Sequence, residues 1–395
     1  MSEYSNRYTQ NPVIQRLRRY FWIFVIVLPL VVMMIPSVIV NYFSSKSTME
    51  NFSSIPTHQH NLNQKSVPKP LITLGWLSGT ASSIEQLNDY ENLDVVSPDF
   101  AVIDSNGHLK LDPQQNFSTM IETQGKKNWP RITMELDTKA ANHVFLSNPA
   151  QQQQVIQSLY QAAIQQQWEG VNIDMENVDV RDRDLFSQFI ENLSAVLHKS
   201  HLILSVDIPP DQKEGENQLS PFDHADLAKT CDYLVFMGYD EHWSTDPIAG
   251  PVTSLNWLDE NIKELIQTGI PSDKIILGLP SYTRLWESNA KGYIVNNPAF
   301  AVGYVEKLMN ENHHSLNWDS TLGEYYTSYD VNNIHYQVWL PSQKSYDLYL
   351  KLCSTYHLAG AAVWNLDFMT SAYWNSIDQF KSITMSPKQK TVSSS

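Results

Sequence analysis

Eight short runs rich in aliphatic and β-branched residues recur along the chain, and most are followed by a stretch with helical spacing. This alternation limits the possible folds more than any other feature. The runs are LITLGW (71–76), LDVVSP (93–98), RITMEL (131–136), GVNIDME (170–176), LILSVDI (202–208), DYLVFMGY (232–239), KIILGLP (274–280) and AGAAVWNL (359–366). Strands alternating with helices imply a parallel sheet, and the count favours closure as a (β/α)8 TIM barrel over an open doubly wound sheet. Helical spacing fills 148–168, where Asn148 and Pro149 suit the N-cap and first helical positions, and also 181–199 and 254–268. The long interval 281–356 holds GEYYTSYD and IHYQVWL with Asn332-Asn333 between them. That pattern predicts a small two-strand insertion after strand 7, above the C-terminal mouth of the barrel.

The run EGVNIDMENV (169–178) carries the chemistry. Val171, Ile173 and Met175 alternate with Asn172, Asp174 and Glu176, so one face packs under helices and the other points into the barrel. Glu176 comes last, nearest the C-terminal mouth where barrel active sites collect. Asp174 and Glu176 are two positions apart, about 6.5–7 Å at Cα, so they share a site and perturb each other's protonation. Two neighbouring carboxylates in low dielectric do not both ionise cheaply, and one is suited to hold a proton. That arrangement suits glycosidic cleavage. The competing readings are solvent-facing acids in a loop, or acids paired with buried arginines.

The pattern resembles the DGxxDxDxE signature of glycoside hydrolase family 18, the chitinase family, and particularly its spore and cell-wall peptidoglycan N-acetylglucosaminidase branch. FMGYDEHW (236–243), KIILGLPSY (274–282) and Trp364 at the end of the eighth run extend the resemblance over about 71–380. It implies that Glu176 is the general acid and later the base on water, and that Asp174 stabilises the substrate's 2-acetamido group. The carbonyl oxygen of that group attacks the anomeric carbon, a substrate-assisted route. Tyr239 would hydrogen-bond the acetamido oxygen, and Trp364 would floor the sugar. Asn172, Trp76, Trp243, Asp240 and Glu241 are further substrate-binding candidates. For Trp76, Trp243 and Trp286 a packing role competes with a stacking one, and Asp240 and Glu241 read equally as a solvated rim. Such chemistry requires no metal and no organic cofactor. Glu169, Asn172, Met175 and Asn365 depart from the wider family pattern, and Asn172 is typical of the cell-wall branch. Alternatives are a chitinase acting on chitooligosaccharides, or a non-catalytic glycan-binding protein on the same fold.

The chain begins with a segment 1–20, followed by the uncharged run 21–40, FWIFVIVLPLVVMMIPSVIV. As a helix this run measures about 30 Å, the thickness of a hydrocarbon core. Arg7, Arg16, Arg18 and Arg19 precede it, whereas Lys46 and Glu50 follow. The positive-inside bias therefore keeps 1–20 cytoplasmic and sends the remainder outside, as a single-pass membrane protein. A cleaved signal peptide is the rival, disfavoured by the length of the run. Residues 41–70 have linker composition, and His58 and His60 lack the further ligands a metal site needs. The barrel spans 71–384, and 385–395 is a frayed tail.

With 42 acidic and 27 basic residues the net charge is -15, a field that repels phosphates and argues against a nucleic-acid partner. No glycine-rich phosphate loop occurs, so nucleotide binding lacks support. The two cysteines, Cys231 and Cys353, cannot build a disulfide framework and read as separate buried thiols. The expected partner is an N-acetylglucosamine-containing polysaccharide.

Overall fold

The computed structural model describes residues 71–78, 85–99, 101–111, 117–211 and 220–384, with side chains described as far as 382. All eight predicted runs are strands of one parallel sheet: β1 (Ile72–Leu77), β2 (Val95–Pro98, resumed at Ala101–Ile103), β3 (Lys127–Asn128, resumed at Arg131–Met134), β4 (Gly170–Ile173), β5 (Ile203–Ile208), β6 (Tyr233–Met237), β7 (Ile275–Pro280) and β8 (Gly360–Trp364). β2 and β3 are each broken in two. Their first halves pair at Val95↔Lys127 and their second halves at Ala101↔Ile132, and Arg131↔Asn172 joins β3 to β4. Pairing then runs through β5, β6 and β7 to β8, and Ile72↔Gly360 returns it to β1. The ring closes. At that seam a Cβ on Gly360 would lie 1.9 Å from the Ile72 carbonyl oxygen, so only glycine allows the two strands to meet.

The helices form where the spacing places them: Pro149–Gln165, Arg183–Leu197 and Leu255–Gln267. Asn148 accepts from the Gln151 N–H, with Pro149 in the first turn. Val171, Ile173 and Met175 are buried in the outer core among these helices. Leu74, Trp76, Val95, Trp129, Val235, Ile276 and Ala362 fill a second core inside the barrel.

Two details of the predicted organisation need correction. β4 ends at Ile173, and residues 174–179 continue beyond the ladder as irregular chain. The insertion is also larger than two strands: six antiparallel segments form a second sheet, accompanied by the helix Val302–Glu311. The hairpin at its centre is as expected, with Val331↔Ile334 flanking Asn332 and Asn333 at φ 50° and 64°, the left-handed pair that a primed two-residue turn demands. The missed segments at Ile294–Asn296, Ala299–Ala301 and Asn317–Asp319 are only three residues long, too short to show a period. Tyr282–Ser288 follows β7 after one residue and reads in sequence as its continuation.

Cys231 and Cys353 are free and buried, as expected. The apolar run 21–40, the linker 41–70 with His58 and His60, and the tail 385–395 lie outside the described residues. Among the described residues no helix is long and apolar enough to cross a membrane.

Candidate active site

The inward side chains of β4 and of the chain that continues it rise in three levels. Asn172 is lowest and wholly buried. Its Oδ1 accepts from Trp76 Nε1 at 2.9 Å and from Ser97 Oγ at 3.3 Å, and its Nδ2 donates to Ser205 Oγ at 3.1 Å and Asp207 Oδ1 at 2.7 Å. Neither Asn172 nor Trp76, also 0% exposed, is open to a sugar. Their expected substrate contact is corrected to a buried joint that fixes the barrel interior, because the inward alternation puts both residues below the mouth.

Asp174 forms the next level, 4% exposed. Its Oδ2 accepts from Arg131 Nε at 2.6 Å and also pairs with Arg131 Nη2. Its Oδ1 is buried without a hydrogen-bond partner. Arg131 reaches Asp99 Oδ1 at 2.9 Å with Nη1 and lies 4.6 Å from the ring centre of Trp364. Burial pushes the Asp174 carboxyl above the usual range, and Arg131 opposes that rise. Pairing with a buried arginine, one of the two competing readings, is thus present together with the paired carboxylates.

Glu176 stands at the top, exposed at the mouth. The surrounding rim still removes enough water to push its carboxyl up to about 7, with the Asp174 charge the next cause and Asp137 and Asp240 adding to it. An acid that keeps its proton near neutrality, above a carboxylate held by an arginine, can protonate a leaving oxygen and later accept a proton from water.

Tyr239 follows β6 on another wall, 7% exposed, within a small cluster of Met237, Val252 and Tyr282 against which Trp364 packs. Burial, reinforced by Asp207, Asp174 and Glu176, raises the Tyr239 hydroxyl well above its normal range, so it remains a donor. Trp364 is partly buried, edge-on to Trp76 at 5.8 Å. Asp240 accepts from the Tyr282 hydroxyl at 2.6 Å, and Arg284 Nη2 lies 3.6 Å away. Trp243 is 40% exposed, its Nε1 donating to Thr245 Oγ1. Trp286 is buried and donates to the Gly250 carbonyl. Burial pushes the Glu241 carboxyl up to about 7, with the Ser254 hydroxyl opposing that rise and the Glu260 charge adding to it. Glu241 also influences the buried Glu324, which accepts from the Tyr349 hydroxyl at 2.9 Å.

Sequence reasoning missed Arg131, Asp207, Asp137 and Tyr282. Asp207 is the last but one residue of the run LILSVDI, and the alternation used for 169–178 finds it as well. It is wholly buried, and desolvation followed by the Asp174 charge raises it well above the ordinary carboxylate range. Among the described residues no group of three or more His, Cys, Asp or Glu side chains is arranged to hold a metal ion.

The family model described as glycosyl hydrolases family 18 matches residues 73–368. The uncharacterized glycosylase YvbX of Bacillus subtilis (strain 168) is 25% identical over 318 residues, covering 78% of this chain and 90% of the relative. The cortical fragment-lytic enzyme of the same organism is 22% identical over 70% of this chain and 65% of its own length. Among solved structures, a chitinase from Chromobacterium violaceum ATCC 12472 superposes with a TM-score of 0.70 at 22% identity, covering 78% of this chain and 98% of that one. The Bacillus megaterium QM B1551 spore cortex-lytic enzyme SleL gives 0.69 at 18%, covering 79% and 74%.

Proposed function

The chain belongs to glycosyl hydrolases family 18, and from that premise we propose that it cleaves β-1,4 bonds next to N-acetylglucosamine in peptidoglycan by substrate-assisted retention. The observation that carries this reading is Glu176, an acid raised to about 7 at the open end of the barrel, directly above the arginine-held Asp174. In the first step the Glu176 proton passes to the glycosidic oxygen as that bond breaks. The acetamido carbonyl oxygen closes on the anomeric carbon and gives an oxazolinium ion. Asp174, ion-paired on Oδ2 and without a partner on Oδ1, has an oxygen left to accept from the acetamido N–H. Tyr239 donates to the acetamido oxygen, and Trp364 lies under the ring. Water then attacks the anomeric carbon while Glu176 takes its proton; the bond from that carbon to the acetamido oxygen breaks, which reopens the oxazolinium ring, regenerates the acetamido group, restores the acid and retains the configuration.

Likeness to enzymes named for the lysis of spore cortex and cortical fragments supports a cell-wall glycan as substrate. The apolar run 21–40 and the arginines before it support a single-pass anchor with the catalytic domain outside the cell. Incubation with purified peptidoglycan and with chitin oligomers, followed by mass spectrometry of new reducing ends, tests the activity. N-acetylglucosamine ends from peptidoglycan are expected. Cleavage of chitin oligomers alone would reassign the substrate, and no cleavage of either would overturn the reading. Protease added to intact cells should remove the domain and leave a membrane-retained N-terminal fragment.

A further inference from the structure

The last ladder bond on the β3 side of β4 runs from the Asp174 N–H to the Ile132 carbonyl, so Glu176 sits two residues beyond the sheet. A side chain takes over there. Asp137, on the turn after β3, accepts from the Glu176 N–H at 3.2 Å and from Asn177 Nδ2 at 3.1 Å on Oδ2. On Oδ1 it accepts from the Asn177 N–H at 3.4 Å and from Asn142 Nδ2 at 2.6 Å. Asn142 is wholly buried in the helix Lys139–Leu146, and the same Nδ2 donates to the Asn177 carbonyl at 3.0 Å. Both polar backbone groups of Asn177 and the N–H of Glu176 are thereby tied to the end of the third strand and the helix that follows it.

We infer that Asp137 is the positioning residue for the acid Glu176, clasping the irregular segment 176–177 and placing a fixed negative charge beside it. The inference rests on the glycosidase reading for its kinetic consequences, though not for its geometry. A carboxylate is required because it only accepts, with about four lone-pair sites, and four N–H donors converge on it here. An amide at 137 would turn one –NH2 toward those donors, losing part of the clasp together with the charge. The charge also reaches the function, since Asp137 is among the groups that hold the Glu176 proton on toward neutrality.

Two variants separate the two parts. Asp137→Asn removes the charge and half of the clasp, while Asn177→Ala removes one hydrogen bond and leaves the charge. The Glu176 carboxyl is titrated by carbon-13 NMR in protein labelled on glutamate, with its resonance assigned by Glu176→Gln, and kcat and KM are followed against pH on an N-acetylglucosamine oligomer. In Asp137→Asn the Glu176 midpoint and the alkaline limb of kcat/KM both move to lower pH. The shift is on the order of 0.5 unit, the size one charge produces across several ångströms of partly hydrated protein. In that variant kcat falls on the order of tenfold, as expected for a misplaced proton donor, while KM stays within about twofold. In Asn177→Ala kcat falls by less and the midpoint stays with the parent. A Glu176 midpoint in Asp137→Asn that is unchanged or raised overturns the inference, as does an equal loss of rate at every pH in a variant that melts with the parent. If the parent turns over neither the oligomer nor peptidoglycan but the midpoint shifts as described, the clasp stands and the glycosidase reading falls.

Discussion

Asn172 and Asp207 are joined at 2.7 Å inside the barrel, amide to carboxyl, with neither residue more than 2% exposed. Burial, followed by the Asp174 charge, raises the Asp207 acid well above its ordinary range. An unfolded chain loses that proton near pH ~3.9. Above that pH the folded state holds the proton more tightly than the unfolded chain does, and the contribution to stability falls as pH rises. The amide introduced by Asp207→Asn would imitate the protonated acid. We expect the stability of this variant relative to the parent, measured by urea unfolding, to grow steadily from pH 4 to pH 7. Parallel curves for the two proteins would show that Asp207 is ionised in place.

Glu176 leads to a kinetic expectation. As an acid raised to about 7, it donates only below that pH, so kcat/KM should decline on the alkaline side with a midpoint near neutrality and an apparent pKa shared with its neighbours. Glu176→Gln should lose at least about 10²–10⁴ in kcat while remaining folded, because the side chain is exposed at the mouth. Turnover by this variant at the parent's rate, or a flat profile from pH 4 to 9, would remove Glu176 from the role of acid.

Arg131 leads to an expectation about stability. Its side chain is 16% exposed and pairs with Asp174, itself 3% exposed at the side chain. Breaking a buried pair leaves an uncompensated charge and costs about 3–5 kcal/mol. Arg131→Met should approach that cost, whereas Arg131→Met combined with Asp174→Asn should recover much of it. Additive losses in chemical denaturation would mean that the two side chains do not depend on each other.

The order of strands was legible because each is a short apolar run bounded by polar chain, and the alternation along 169–178 separated the helix-packed Val171, Ile173 and Met175 from the inward Asn172, Asp174 and Glu176. What periodicity does not carry is height within the barrel. Asn172 and Glu176 share a face four residues apart, yet one is sealed and the other exposed, since depth depends on how neighbouring strands are staggered. Arg131 was illegible for a related reason: its partner Asp174 lies 43 residues away, and only the pairing of β3 with β4 brings them together. Tyr282 and Asp240 likewise meet through a strand that in sequence reads as the continuation of β7.

Trp76 and Trp243 were weighed together from sequence, and the structure separates them in a way that experiment can test. Trp76 is 0% exposed and donates to Asn172 at 2.9 Å. Trp76→Phe leaves that buried acceptor short of a donor, at a cost of about 1–3 kcal/mol, with KM little changed because no sugar reaches it. Trp243 is 40% exposed on the loop that follows β6. Trp243→Ala should therefore melt within a degree or two of the parent, yet raise KM several-fold for long oligomers if its ring stacks on a sugar, an interaction of roughly 0.5–1.5 kcal/mol for paired rings. The two variants thus predict opposite signatures, stability without binding for Trp76 and binding without stability for Trp243. Melting curves and Michaelis constants measured on the same preparations decide between them, and a Trp76→Phe protein with parental stability and a raised KM would place that indole in the cleft after all.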